Sequence, residues 1–156
     1  MKVFGLPAHV LVIHAAVVFT PLAVLSAWVF VGRPAWRSLT RWPTAILAVV
    51  ALGSVWAARI TGNSFLNTRP QLAPLMATHK SRGDTLSLIV IAFAVVTVAA
   101  AYRLGGPSLF ASGGGARTGA EGAESLALSV AVVLLGLAVL IWVVLTGDAG
   151  ARAAWG

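Results

Sequence analysis

The sequence predicts an all-α fold: a four-transmembrane-helix bundle with both termini on the same side. Three observations carry this. Of 156 residues, 59% are hydrophobic and only 10% charged, with a mean hydropathy of +0.94; a soluble domain of this length cannot cover so much apolar surface. Charge-poor intervals then mark four spans at about 10–31, 42–60, 85–104 and 125–146, each close to the roughly 20 residues that cross a hydrocarbon core. The runs are continuous instead of alternating, which is the pattern of helices and not of barrel strands. An even number of spans returns the chain to the side it started from, and the whole of 1–156 reads as one domain.

The first span opens with "GLPAHVLVIHAAVVFTPLAV", residues 5–24. Its apolar stretch is too long for a signal-peptide core and is preceded by a single cation, Lys2, so it reads as a mature helix. Pro21 removes one backbone hydrogen bond within it and predicts a kink. Residues 33–41, "RPAWRSLTR", form a short basic turn flanked by Trp36 and Trp42, which suit a membrane interface. The second span lies between Arg41 and Arg59, and small residues (Ala48, Ala51, Gly53, Ser54) predict close helix contact along it. Residues 59–84 read as a longer loop with a short helix of its own at "APLMATHK". The third span follows Asp84 and ends at Arg103. Residues 105–124 are glycine-rich and read as a tether. Glu121 and Glu124 precede the fourth span, where acids favour a helix N-terminus. Gly136 lies within that span as a contact residue, and Thr146-Gly147 reads as its stop.

The formal charge of +7 does not imply nucleic acid, because the cations flank the spans as orientation charges do beside anionic lipid. Six cations fall on the terminus side and five on the other. The density of Arg33, Arg37 and Arg41 in one short turn favours that turn in the cytoplasm, with the termini extracytoplasmic. The absence of cysteine excludes disulfides, thiolate metal sites and covalent c-type haem. "GGGARTG" lacks the strand and the Gly-Lys-Ser/Thr ending of a phosphate loop, and Ser and Asp are too sparse for a hydrolase. The chain reads as a redox or accessory subunit more than as a stand-alone enzyme.

Side chains with chemical reach gather at the terminus side. His9 and His14 open the first span, Arg59 and Asn63 close the second, His79, Lys80, Arg82 and Asp84 precede the third, and Asp148 and Arg152 follow the fourth. A faint internal echo runs through the two halves: "PAH" and "ATH" precede spans one and three, "RITGN" and "VLTGD" close spans two and four. As a parallel repeat it would set spans one and three diagonally, with their histidines facing across the bundle. That pattern suits a b-type haem held between two imidazoles. His14 and His79 are then the expected axial ligands, His9 the support or alternate, and Arg59, Arg82 or Lys80 the propionate partners. For His79 to reach His14, the third helix has to start near Pro74 or its preceding loop has to fold inward. The electron-transfer subunit so described would relay electrons between a quinone or partner reductase and a larger redox complex. An alternative is a zinc, copper or iron ion held by His9, His14 and His79 with Asp84 or Asp148. Positions five apart lie about 140° apart on a helix, so His9 and His14 do not share a face. A third reading has no cofactor, only packing against a larger membrane complex.

The stretch "GLPAHVLVIHAAVVFTPLAVL", the histidine before the third span and the closing "TGDAGARAAWG" together resemble the bacterial membrane family named domain of unknown function 2231 (DUF2231). Its pattern is Leu-Pro-x-His-Pro, a second histidine five residues on, a Pro-containing helix, a histidine before the third helix and a closing Thr-Gly-x-x-Gly. Val10 stands where that family usually has proline. The resemblance covers nearly the whole chain and implies a multi-pass protein of the bacterial cell membrane. Association of such domains with Rieske or cytochrome c domains implies electron transfer.

Overall fold

The computed structural model describes residues 2–3, 6–105 and 122–156, with side chains for 12–105 and 122–156. A two-residue antiparallel pairing of Lys2–Val3 (β1) with Leu6–Pro7 (β2) leads into four helices. They are α1 (Ala8–Gly32), α2 (Arg37–Thr68), α3 (Ala77–Leu104) and α4 (Ala123–Trp155). All four are long and apolar enough to span a bilayer. Each packs against its neighbour in sequence, and α4 closes the ring against α1, so α1 and α3 are diagonal, as are α2 and α4. The tether expected at 105–124, with Arg117 and Glu121, lies outside the described residues apart from its two ends.

Three boundaries differ from the sequence reading, each for a physical reason. Helix α4 does not stop at Thr146-Gly147 but continues to Trp155. A glycine ends a helix by turning left-handed, and Gly147 does not turn: among the described residues the only glycine with a positive φ is Gly122, at 61°, which precedes α4. Helix α2 likewise passes Thr61-Gly62 and ends at Thr68. The segment "APLMATHK" is not a separate helix: Pro70–Leu72 forms a 3-10 turn, and Ala77 already belongs to α3. His79 therefore sits inside α3, in its first turn. At about 1.5 Å per residue, the 32 residues of α2 and 33 of α4 exceed a hydrocarbon core of about 30 Å, so polar ends project beyond it. Pro21 lies inside α1 without ending it.

The core is built from small residues with a few large fillers. Ala23, Ala27, Ala48, Ala51 and Ala100 are fully or almost fully buried, and Phe30 and Phe93 fill the space between them. Lipid tails are as apolar as leucine, so close backbone approach and interhelical hydrogen bonds hold such bundles together. On α2 the buried positions Thr44, Ala45, Ala48, Ala51 and Val55 form one helical stripe, and the Ser26 and Thr44 hydroxyls bond across to α1 at 2.8 Å. Gly136 is pressed against Trp28, as expected for a contact residue, whereas Gly53 faces open space. Helix α4 is the least buried span. Its exposed Leu126, Val130, Leu134, Leu137, Ile141 and Val144 make a continuous apolar stripe suited to lipid.

Arginines close the end of the bundle formed by the 33–41 turn. Arg37 donates to the carbonyls of Phe30 and Val31, each at 3.3 Å, where α1 ends. Arg41 is 6% exposed and packs against Gly105 at the end of α3. Cations there complement the negative ends of the helix dipoles. Arg103 pairs with Glu124 at 2.7 Å and ties the end of α3 to the start of α4.

Candidate functional site

The opposite end carries the polar residues singled out from the sequence. There the first turns of α3 lie against the last turns of α4. His79 Nδ1 lies 2.9 Å from the carbonyl oxygen of Thr146. A carbonyl only accepts, so Nδ1 carries the proton in this contact. In a neutral ring that leaves the lone pair on Nε2. Gly150 is one turn beyond Thr146, and a Cβ there would stand 2.9 Å from His79 Nδ1 and 3.0 Å from its Cε1. The missing side chain at Gly150 is what admits the imidazole to the helix surface. One step along, Arg82 donates to the Leu145 carbonyl at 2.7 Å and approaches Asp148 at 3.7 Å. Two elements of the closing "TGDAG" thus have structural causes: Thr146 accepts from the histidine of α3, and Gly150 makes room for it.

Charge is paired around this contact. Asp84 receives Arg59 of α2 at 2.8 Å and Lys80 of its own helix at 2.9 Å. Asp148 receives Arg152 at 3.0 Å as well as Arg82. The two aspartates proposed from the sequence as metal ligands are therefore held by cations. Arg59 and Arg82, read as propionate partners, have protein acceptors. The Asp84 pair is about one-third exposed, and such pairs contribute at most about 1 kcal/mol. Asp84→Asn is expected to lower the thermal midpoint of detergent-solubilised protein slightly. Salt screens exposed charges, so the difference from the parent should shrink in 1 M salt; an unchanged gap would mean that the pair is not its source.

All four helices line a cavity of about 170 Å³ beside these groups. Helix α1 contributes Ile13, Ala16, Val17 and Thr20, one stripe at helical spacing. The α2 wall runs from Val55 to Leu66, the α3 wall from Met76 through His79 to Leu86, and α4 adds Val143, Thr146 and Gly147. Carbon dominates this lining, with Arg59, Asn63, Lys80 and Asp84 among its few charged or polar members.

Two hydroxyls set the cavity apart. Serines and threonines in helices ordinarily bond back to a carbonyl of the preceding turn. Thr40, Ser54, Thr61, Thr68, Thr85 and Ser87 all do so here. Thr20 and Thr146 do not: both Oγ1 atoms are buried without a hydrogen-bond partner. Thr20 is 1% exposed. Thr97 shares this condition but lies outside the cavity lining. A buried polar atom without a partner costs about 1–3 kcal/mol, so each such group calls for a physical reason.

The three histidines are placed differently. His79 lines the cavity. His14 is exposed on the outside of α1 and does not line it. The backbone of His9 is helical, while its side chain lies outside the described residues. Among the described residues no group of three or more His, Asp or Glu is arranged to hold a metal ion. Sequence reasoning missed Thr20 and the role of Gly150; a hydroxyl on the Ile13–Ala16–Val17 stripe was the available signal for the first. Comparison of the chain with protein-family models, with curated proteins and with solved structures finds no match.

Proposed function

We propose that the chain is a membrane-embedded binding subunit whose cavity at the His79 end holds a lipophilic molecule with a hydrogen-bonding head. It would serve electron transfer with a partner in the same membrane. The observation that carries this is the pair of buried, unpartnered hydroxyls of Thr20 and Thr146 in a mostly apolar cavity that His79 also lines. Ligand pockets are mostly apolar with a few placed polar groups, and those groups find in a ligand what the protein does not give them. The test is mass spectrometry of a solvent extract from detergent-purified protein. A lipophilic compound should be retained in near-stoichiometric amount, and Ala16→Phe, which fills the cavity, should reduce it at least tenfold. Equal retention in Ala16→Phe would place the molecule elsewhere.

One observation favours a second reading, haem b. Histidines that bind iron commonly donate their other ring nitrogen to a carbonyl, which fixes the ring, and His79 does this toward Thr146. His79 would hold the iron from α3; His14 is exposed and does not line the cavity, which leaves His9 as the second histidine to hold it. Haem b would supply a one-electron couple at this end of the bundle. On this reading His79→Ala abolishes the reduced-minus-oxidised haem spectrum and His14→Ala leaves it. Loss of the spectrum in His14→Ala would return the ligand role to the outer face of α1.

A further inference from the structure

We infer that the head group taken by this cavity is a para-quinone or its quinol; this rests on the binding role proposed above and gives it a chemical class. Apart from the ion-paired Arg59, Lys80 and Asp84 and the amide of Asn63, the polar side chains of the lining are His79, Thr146 and Thr20. His79 and the Thr146 hydroxyl form one group, joined through the Thr146 backbone. The Thr20 hydroxyl forms the other: it is the innermost α1 residue of the lining, seven positions past Ile13. On the α3 side the lining extends from Met76, just before the helix, to Leu86, and from His79 to Leu86 is likewise seven positions. Seven positions are about 10 Å of helix. That depth suits one six-membered ring bearing an oxygen at each end, with a hydrogen bond beyond each. Ile13, Ala16, Val17, Val55 and Val143 supply apolar contact for the faces of such a ring.

The hydrogen-bonding capacity also fits. The Thr20 and Thr146 hydroxyls each have a proton to donate to a quinone carbonyl, and each also accepts. With Nδ1–H committed to Thr146, a neutral His79 offers Nε2 as acceptor for a quinol O–H. Both oxidation states therefore find partners without rearrangement of the helices. A phospholipid tail would satisfy the apolar walls but leave the Thr20 hydroxyl unpaired. Binding is proposed; no electron transfer step is assigned to these side chains.

The test compares decylubiquinone with n-decylbenzene, which has the same tail and no oxygens, on full-length protein in quinone-free nanodiscs. Decylubiquinone should bind saturably and at least tenfold more tightly than decylbenzene, since a site built to hydrogen-bond rejects an analogue that lacks the oxygen. Thr20→Val keeps the shape and removes the hydroxyl; it should weaken decylubiquinone roughly tenfold and leave decylbenzene unchanged. Thr20→Ser restores the hydroxyl and should restore binding, which separates lost chemistry from lost folding. Equal binding of the two probes, or no effect of Thr20→Val, overturns the quinone assignment and leaves the cavity as a lipid or tail site. Failure of both probes to bind overturns the binding role as well.

Discussion

Gly150→Ala is expected to push the His79 ring off α4. The added methyl would stand 2.9 Å from Nδ1 and 3.0 Å from Cε1, closer than carbon and ring atoms tolerate. Gly150 is inside a continuous helix, so the ring moves and the hydrogen bond to Thr146 is lost. Overpacking of this kind costs about 1–3 kcal/mol, and the retained ligand should fall with it, because a cavity wall has shifted. The check is a double-mutant cycle on thermal stability in detergent. If the clash is the cause, His79→Ala removes most of the cost of Gly150→Ala, and the two substitutions are strongly non-additive. Additive effects would mean that Gly150 acts through its own helix and not through the histidine.

Gly136→Leu should be more damaging still, and for a different reason. A Cβ at position 136 would lie 2.7 Å from Trp28 Nε1 and 3.0 Å from Val24 Cγ1. Val24 is fully buried and cannot swing aside. Helix α4 therefore has to leave α1, at the seam that closes the ring. Close approach of small residues is the main attraction available between helices in lipid, so separating them loses contact along the whole seam. A destabilisation of at least 3 kcal/mol is expected, above the usual 1–3 kcal/mol for overpacking, read as a large fall in thermal midpoint. Leu137→Ala, one position away on the exposed face, should change it little. Similar losses in the two variants would contradict the packing assigned to Gly136.

The four spans were legible because hydropathy over some 20 residues integrates many weak signals, and bilayer thickness sets the required length. The concentration of histidines and ion pairs at one end was legible from their positions beside the spans. Rotation about the helix axis was less so. His14 lies inside the first apolar run, and depth alone suggested a ligand; its face points outward, while Ile13 and Thr20 point into the cavity. The stop read at Thr146-Gly147 failed because a glycine inside a packed membrane helix remains helical unless its φ turns positive. Gly150 stood in the closing Thr-Gly-x-x-Gly motif, but its role could not be read, since that role is clearance for a side chain 71 positions earlier. Thr20 and Thr146 look like ordinary helix hydroxyls in the sequence, and only the missing bond to the preceding turn sets them apart.

His79 is fixed by α4 at the edge of the cavity and should report what enters it. Nitrogen-15 histidine NMR of the protein in nanodiscs reads this directly, with the His79 signal assigned by its loss in His79→Gln. The expected result is a ring protonated at Nδ1 whose Nε2 resonance moves on addition of the retained lipophilic compound, while His14 stays where it was. A His79 ring protonated only at Nε2, or a response confined to His14, would contradict it.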